Sequence, residues 1–328
     1  NVSFSNCGLP YHLSGIIPES DDLVLMDPTV FKNQYNIDAR VNTEVIAINK
    51  EAKTVTVKNL LTNEESEEAY DKLVLAPGAN AILPGSIEGI RGENVFIVKN
   101  VVDIKALTAF VEKNNAKHIT VVGGGFIGVE VAENFRLAGK EVTLVEALDQ
   151  ILSPFDLDMV QILHKEMYDK GIELVLSDAV SSIASDSVTL SSGRVIETDA
   201  VVMAIGVYPE VTLAKQADLT IGETGGIKVN HHYQTSDKDI YAVGDAIEVF
   251  NSITRQVTRL PLAGPAQRQA RAAADHMYGI PHNNKGVIGS SVVQVFDLTA
   301  AATGLNEKAA QKAGIPYDIV YIIPGDKV

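Results

Sequence analysis

Sulfur is scarce in this chain: Cys7 is the only cysteine among 328 residues. A lone thiol cannot close a disulfide within its own chain. Redox chemistry at this position therefore passes through a mixed disulfide, a persulfide or a sulfenic acid. One unpaired cysteine also suits a reducing compartment, and the cytoplasm is the expected location. Basic residues are in deficit as well. With 27 Lys and Arg against 42 Asp and Glu, the net charge of −15 excludes nucleic acid and anionic membrane as expected partners, because phosphate-rich surfaces need basic faces. No apolar run is long enough to span a bilayer and no signal-peptide pattern is read, so a soluble protein is expected.

What is present begins with apolar residues, 46% of the chain, enough for two or three separate cores. The acidic run Asn63-Glu64-Glu65-Ser66-Glu67-Glu68 is expected to be a solvated hairpin tip. The pair His231-His232 is not expected to bind metal, because neighbours in an extended segment point to opposite faces and no further ligand lies at suitable spacing.

The strongest local signal runs from His118 to Glu146. Ile119-Thr120-Val121-Val122 has strand composition, Gly123-Gly124-Gly125-Phe126-Ile127-Gly128 follows at once, and Val129 to Leu137 is helical in composition and closed by Gly139. Glu141 to Val145 is a second strand, ending at Glu146. In this arrangement Gly123 allows a tight turn, Gly125 lets the backbone approach a pyrophosphate, and Gly128 lets helix and strand pack closely. Glu146 is placed to accept hydrogen bonds from both hydroxyls of an adenine ribose, and its charge repels a 2′-phosphate. NADH is therefore the expected cofactor over NADPH.

A second nucleotide site is expected from more scattered pieces. Asp71 to Leu75 runs as a strand into the turn Ala76-Pro77-Gly78, and Ala200 to Met203 repeats the pattern before Ala204-Ile205-Gly206. Such repetition suggests two sheets of similar design. Asp239 to Val243 is a strand whose tip carries Gly244 and Asp245, a combination that suits a polyol such as a ribityl chain or a plain turn. From Leu262, Pro265 and the helix formers between Ala266 and Met277 read as a helix whose positive end can face an anionic ring. Around Cys7, Gly8, Pro10 and the apolar residues after them read as a turn entering a short helix.

Taken together, Ser3 through Gly15, Ala76-Pro77-Gly78, Gly123 through Glu130, Ala204 to Gly206, Tyr241 through Asp245, Leu262 through Pro265, Val295-Phe296-Asp297 and Thr303-Gly304-Leu305 resemble the flavin-dependent pyridine nucleotide-disulfide oxidoreductases. The match is to their single-cysteine branch, and within it to the coenzyme A disulfide reductases and NADH-dependent persulfide reductases. The resemblance implies an α/β fold with two Rossmann-like nucleotide-binding domains and the start of an α+β dimerisation domain. The expected boundaries are a flavin domain at 1–98 and 232–281, an NAD domain at 99–231, and the dimerisation domain from 285 to 328. It further implies Cys7 as the redox centre, with Ser3 and Asn6 lining the substrate path, Ser3 being equally a plain turn hydroxyl. Glu130 would receive the nicotinamide carboxamide, while Phe126 would cover the flavin or pack in the core. Gly123, Gly125, Ile127, Gly128, Glu146 and Gly206 would surround NADH; Ala76, Pro77, Gly78, Gly244, Asp245, Leu262 and Ala263 would surround FAD. A homodimer acting on a small thiol substrate, coenzyme A disulfide or persulfide, is expected. An NADH oxidase or peroxidase working through a sulfenic acid, and a flavin redox sensor without turnover, are the alternatives. The family's opening strand and flavin phosphate loop are expected to precede this sequence. Its C-terminal tyrosine motif is expected to follow, with Lys327 about where the motif's histidine would stand.

Overall fold

The computed structural model describes residues 2–282 and 284–325; Lys327 lies outside the described residues. Its centre is a five-stranded, wholly parallel sheet in the order Ile172–Leu176, Glu141–Glu146, His118–Val122, Ala200–Met203, Val95–Phe96. The inner strands are buried along almost their whole length, as Val-, Ile- and Thr-rich strands covered on both faces should be. Val95–Phe96 precedes the boundary expected at residue 98 and closes one edge of this sheet. Crossover helices Val101–Lys113, Phe126–Leu137 and Leu157–Asp169 cover it. The first begins with a reciprocal capping box between Asn100 and Asp103. An antiparallel three-stranded sheet, Val180–Ile183, Ser187–Leu190 and Val195–Glu197, is inserted after the last of these helices.

A second body surrounds the parallel pair Leu73–Leu75 and Ile240–Ala242, with the antiparallel meander Thr43–Asn49, Thr54–Asn59, Glu65–Ala69 and the helix Ala263–Met277. The connection between the bodies is itself hydrogen-bonded, because Ala79–Ala81 pairs with Val207–Pro209 where the chain passes outward and back. The acidic run departs in part from expectation: Glu65–Ala69 is a full strand, with Asn63, at φ 61°, and Glu64 in the connection before it. Lys58 opposite Glu65, and the exposure of most of this edge, let a carboxylate-rich strand persist. His231 and His232 also differ, lying in a turn. There the His232 ring stacks on His276, centroids 4.2 Å apart.

A third piece, the hairpin Ser290–Val295 and Leu298–Thr303 followed by the short helix Glu307–Lys312, packs its buried Val293, Val295 and Phe296 into the same core as the central sheet. No helix among the described residues is long and apolar enough to cross a membrane.

Candidate active site

A cleft at the end of the central sheet follows from three glycines whose missing side chains do different things. Gly123 ends its strand at φ +108°, where a Cβ would lie 2.5 Å from the Ala204 carbonyl oxygen. A Cβ on Gly128 would lie 1.8 Å from the carbonyl oxygen of Gly123, so the first turn of the helix can meet the strand only without one. Gly125, the N-cap of Phe126–Leu137, has open space where its Cβ would be. The protein's own packing therefore does not require a glycine here. Ile127 is exposed on the same turn.

At the tip of the adjacent strand, the Glu146 carboxylate accepts hydrogen bonds from the Gly124 N–H at 2.6 Å and the Leu148 N–H at 2.8 Å. The sequence reading gave Glu146 only an outward role; the structure adds that it fastens the glycine turn. Each carboxylate oxygen retains acceptor capacity beyond one such bond. Gly123 to Gly125, Glu146, Leu148, Gln150 and Gly206 are among the walls of a cleft of about 420 Å³.

The sulfur lies on a different segment. Ser3–Phe4 pairs with Val24–Met26, Asn6 and Cys7 are exposed, and Gly8 caps the helix Leu9–Leu13. Exposure disposes of a buried, inert cysteine. This helix docks on Phe126–Leu137: Leu9 is buried in the shared core, and the Ser14 hydroxyl donates to Asn134 Oδ1 at 2.6 Å. Phe126 packs, half-buried, against that core. Where the two helices meet, burial and then the neighbouring Glu133 push the Glu130 carboxyl up to about 7. Burial, then Glu130, Glu133 and Cys7, raise the Tyr11 phenol. The structure thus gathers Cys7, Tyr11, Glu130 and Glu133 around one joint. Of these, the sequence reading gave no role to Tyr11 or Glu133. The available signal was the i, i+3 and i, i+4 spacing of Glu130, Glu133 and Asn134 on one apolar helix.

The remaining predicted residues gather on the second body. The Ile240–Ala242 strand is anchored by Asp239, which bridges Lys53 at 2.6 Å and Lys72 at 2.5 Å and is held down at about 2 by those two ammonium groups. Beyond this strand Gly244, at φ +78°, donates its N–H to the Gln269 side chain at 2.7 Å. Asp245 follows half-buried. Burial raises its carboxyl, opposed only by the charge of Lys99, with no described hydrogen bond contributing. Ala76 and Pro77 are exposed at the end of the partner strand, and Gly78 turns away at φ +74°. Leu262 stands at the N-cap of the helix that begins at Ala263, in keeping with the helix start read from Leu262 and Pro265 in the sequence. Pro265 is tolerated because a first-turn N–H has no partner to lose.

Residues 3–270 match the family model described as pyridine nucleotide-disulphide oxidoreductase. The chain belongs to that family. Among curated relatives, it is 33% identical over 328 residues to the coenzyme A disulfide reductase of Staphylococcus haemolyticus, covering 99% of this chain and 73% of the relative. It is 35% identical over 319 residues to a Methanocaldococcus jannaschii protein named NADH oxidase, covering 96% and 70%. Among solved structures of family members, reduced CoADR-RHD from Bacillus anthracis superposes with a TM-score of 0.94 at 48% identity, covering 96% of this chain and 57% of that one. The NAD-dependent persulfide reductase of A. fulgidus gives 0.92 at 34% identity, covering 96% and 59%. The chain thus spans less than two thirds of the length of those two structures.

Proposed function

We propose that this chain carries the core of an FAD-dependent, NADH-driven reductase that cleaves coenzyme A disulfide or coenzyme A persulfide at Cys7. The observation that carries the reading is the exposed Cys7, in a chain with no second thiol, in the turn that enters a helix docked against the helix that opens the dinucleotide cleft.

The residues present fit both cofactors. The cleft at Gly123–Gly128 offers an unobstructed backbone at Gly125 and a strand-tip carboxylate at Glu146, the features a dinucleotide needs. Asp245, desolvated and short of donors, suits the hydroxyls of a ribityl chain, beside a helix that begins at Ala263. A flavin bound there supplies two-electron transfer between nicotinamide and sulfur.

The protein's own part is then as follows. Glu146 and the glycine turn hold the adenosine half of NADH and favour it over NADPH. Glu130, near neutrality in its protonation, holds the nicotinamide end. Cys7 as thiolate attacks one sulfur of coenzyme A disulfide, forming a mixed disulfide and releasing one coenzyme A thiolate. Two electrons and a proton then release the second thiol and restore Cys7, so one NADH and one proton yield two thiols. In the domain organisation we propose, 99–231 together with the edge strand Val95–Phe96 serves NADH, the rest of 1–98 and 232–281 serve FAD, and 285–328 opens an interface domain.

The test is anaerobic NADH oxidation by the intact flavin-loaded enzyme with coenzyme A disulfide, coenzyme A persulfide or hydrogen peroxide, and aerobically with oxygen alone. Two thiols per NADH with the disulfide is expected. Oxygen or peroxide consumption without thiol turnover would instead establish the oxidase reading that the Methanocaldococcus relative's name raises.

A further inference from the structure

The C-terminal piece does more than fill the core of the central sheet, because it reaches the loop that follows Glu146. Residues 147 to 153 run along one wall of the cleft, with Leu148, Gln150, Leu152 and Ser153 on its lining. Leu152, at φ 48°, is held to the glycine turn by its N–H donating to the Gly124 carbonyl at 2.7 Å. The rest of the loop is secured from outside. Asn306 donates its side-chain N–H to the Ser153 carbonyl at 2.9 Å, and Lys308 Nζ donates to Gln150 Oε1 at 2.7 Å and pairs with Asp149 at 3.3 Å. Gln150 is 1% exposed, and its amide in turn donates to the Phe155 carbonyl at 3.0 Å. Asp156 stands at the N-cap of Leu157–Asp169, yet its side chain makes no capping bond to that helix. It accepts instead from the Glu307 N–H at 2.7 Å.

The bonds of Asn306, Glu307 and Lys308 cross from one short helix start to this loop and to the helix N-cap that follows it, and Gln150, Leu152 and Ser153 of the loop line the cleft. We propose that Asn306 and Lys308 are positioning residues for the dinucleotide, setting through Gln150 and Ser153 the wall against which its adenosine half is held. The inference rests on the NADH reading above.

The intact flavin-loaded enzyme tests it with two variants. Asn306→Asp keeps the oxygen that caps Ala309 but removes the donors to the loop, and Lys308→Met keeps the side-chain stem but removes the ammonium. Steady-state kinetics are measured with NADH and with reduced nicotinamide mononucleotide, which lacks the adenosine half. The expected result is a KM for NADH raised about tenfold, the size of losing one charged or buried hydrogen bond, with kcat within twofold. Kinetics with the mononucleotide should be unchanged, and Lys308→Arg should restore the NADH value. A general structural weakening would move both substrates together, and that result, like unaltered NADH kinetics, overturns the proposal. A wild-type enzyme that binds no NADH by fluorescence titration would overturn the underlying reading as well; tight wild-type binding with unaltered variants overturns this inference alone.

Discussion

The two nucleotide-binding halves use the same elements in different ways. In the NADH half the glycine turn, the helix start and the strand-tip acid lie within one continuous strand–turn–helix–strand unit on a five-stranded sheet, Gly206 and the loop after Glu146 add to the cleft wall, and the Glu146 carboxylate returns to the glycine turn. In the flavin half the pieces come from distant parts of the sequence: Leu73–Leu75 pairs with Ile240–Ala242, and Gly244 is held by Gln269. A local unit concentrates the cost of a substitution in its own stretch. A distributed one spreads each loss over several contacts.

Four measurements sharpen or break that contrast. The largest effect is expected from Cys7→Ser. Anaerobic thiol release should fall to background while stopped-flow bleaching of the flavin by NADH continues, since hydride transfer uses no sulfur. Normal thiol production would remove Cys7 from the mechanism.

Next come the glycines. Gly128→Ala forces a Cβ onto the Gly123 carbonyl and should cost several kcal/mol in denaturant unfolding, among the large effects of single substitutions. Gly244→Ala in the flavin half meets nothing nearer than the Ala266 Cβ at 3.9 Å, and only its positive φ is penalised, by about 1–2 kcal/mol. Gly125→Ala should leave unfolding unchanged yet weaken NADH binding. If all three cost the same, the distinction between local and distributed construction fails.

Glu146→Ala should reduce kcat/KM for NADH about tenfold or more, from the loss of a charged acceptor worth about 1.5–3 kcal/mol. The lost anchor on Gly124 implies that NADPH will not gain correspondingly unless an Arg is added nearby. A wild-type enzyme that prefers NADPH would show that the carboxylate has been misassigned.

The last measurement concerns Glu130. Its carboxyl is at about 7 in the folded chain against an ordinary value of 4.5, so the native state holds that proton more tightly than the unfolded state. The contribution is favourable at low pH and is lost as pH rises from about 4.5 through 7. Glu130→Gln should therefore gain stability relative to wild type at pH 8 compared with pH 5, measured by denaturant midpoints. A pH-independent difference would mean that the group is not desolvated.

The same contrast explains what was legible in the sequence. The unit at His118–Glu146 could be read residue by residue, because turn, phosphate approach and strand-tip acid all depend on spacing along one stretch. The flavin side was legible only as separate strand ends, since the pairing of Leu73–Leu75 with Ile240–Ala242 has no local signature. The joint of Tyr11, Glu130 and Glu133 was missed for a related reason. It forms only when the Cys7 helix, more than a hundred residues earlier in the chain, docks on the Phe126 helix. The start of the Ala263 helix was legible because a proline in a first turn is a local signal that needs no distant partner.

The docking of the Cys7 helix on the Phe126 helix bears on how this molecule can be recombined. The thiol's support is contributed by the body that holds the dinucleotide, through the core around Leu9 and the bond from Ser14 to Asn134. A transplanted NADH module from another family member would therefore arrive without the surface that seats the thiol, unless its counterpart of Asn134 and the apolar face beside it travelled too. Exchanges of cofactor preference by whole-module grafting should fail at sulfur chemistry while succeeding at hydride uptake, whereas point changes around Glu146 should leave the thiol's seat intact.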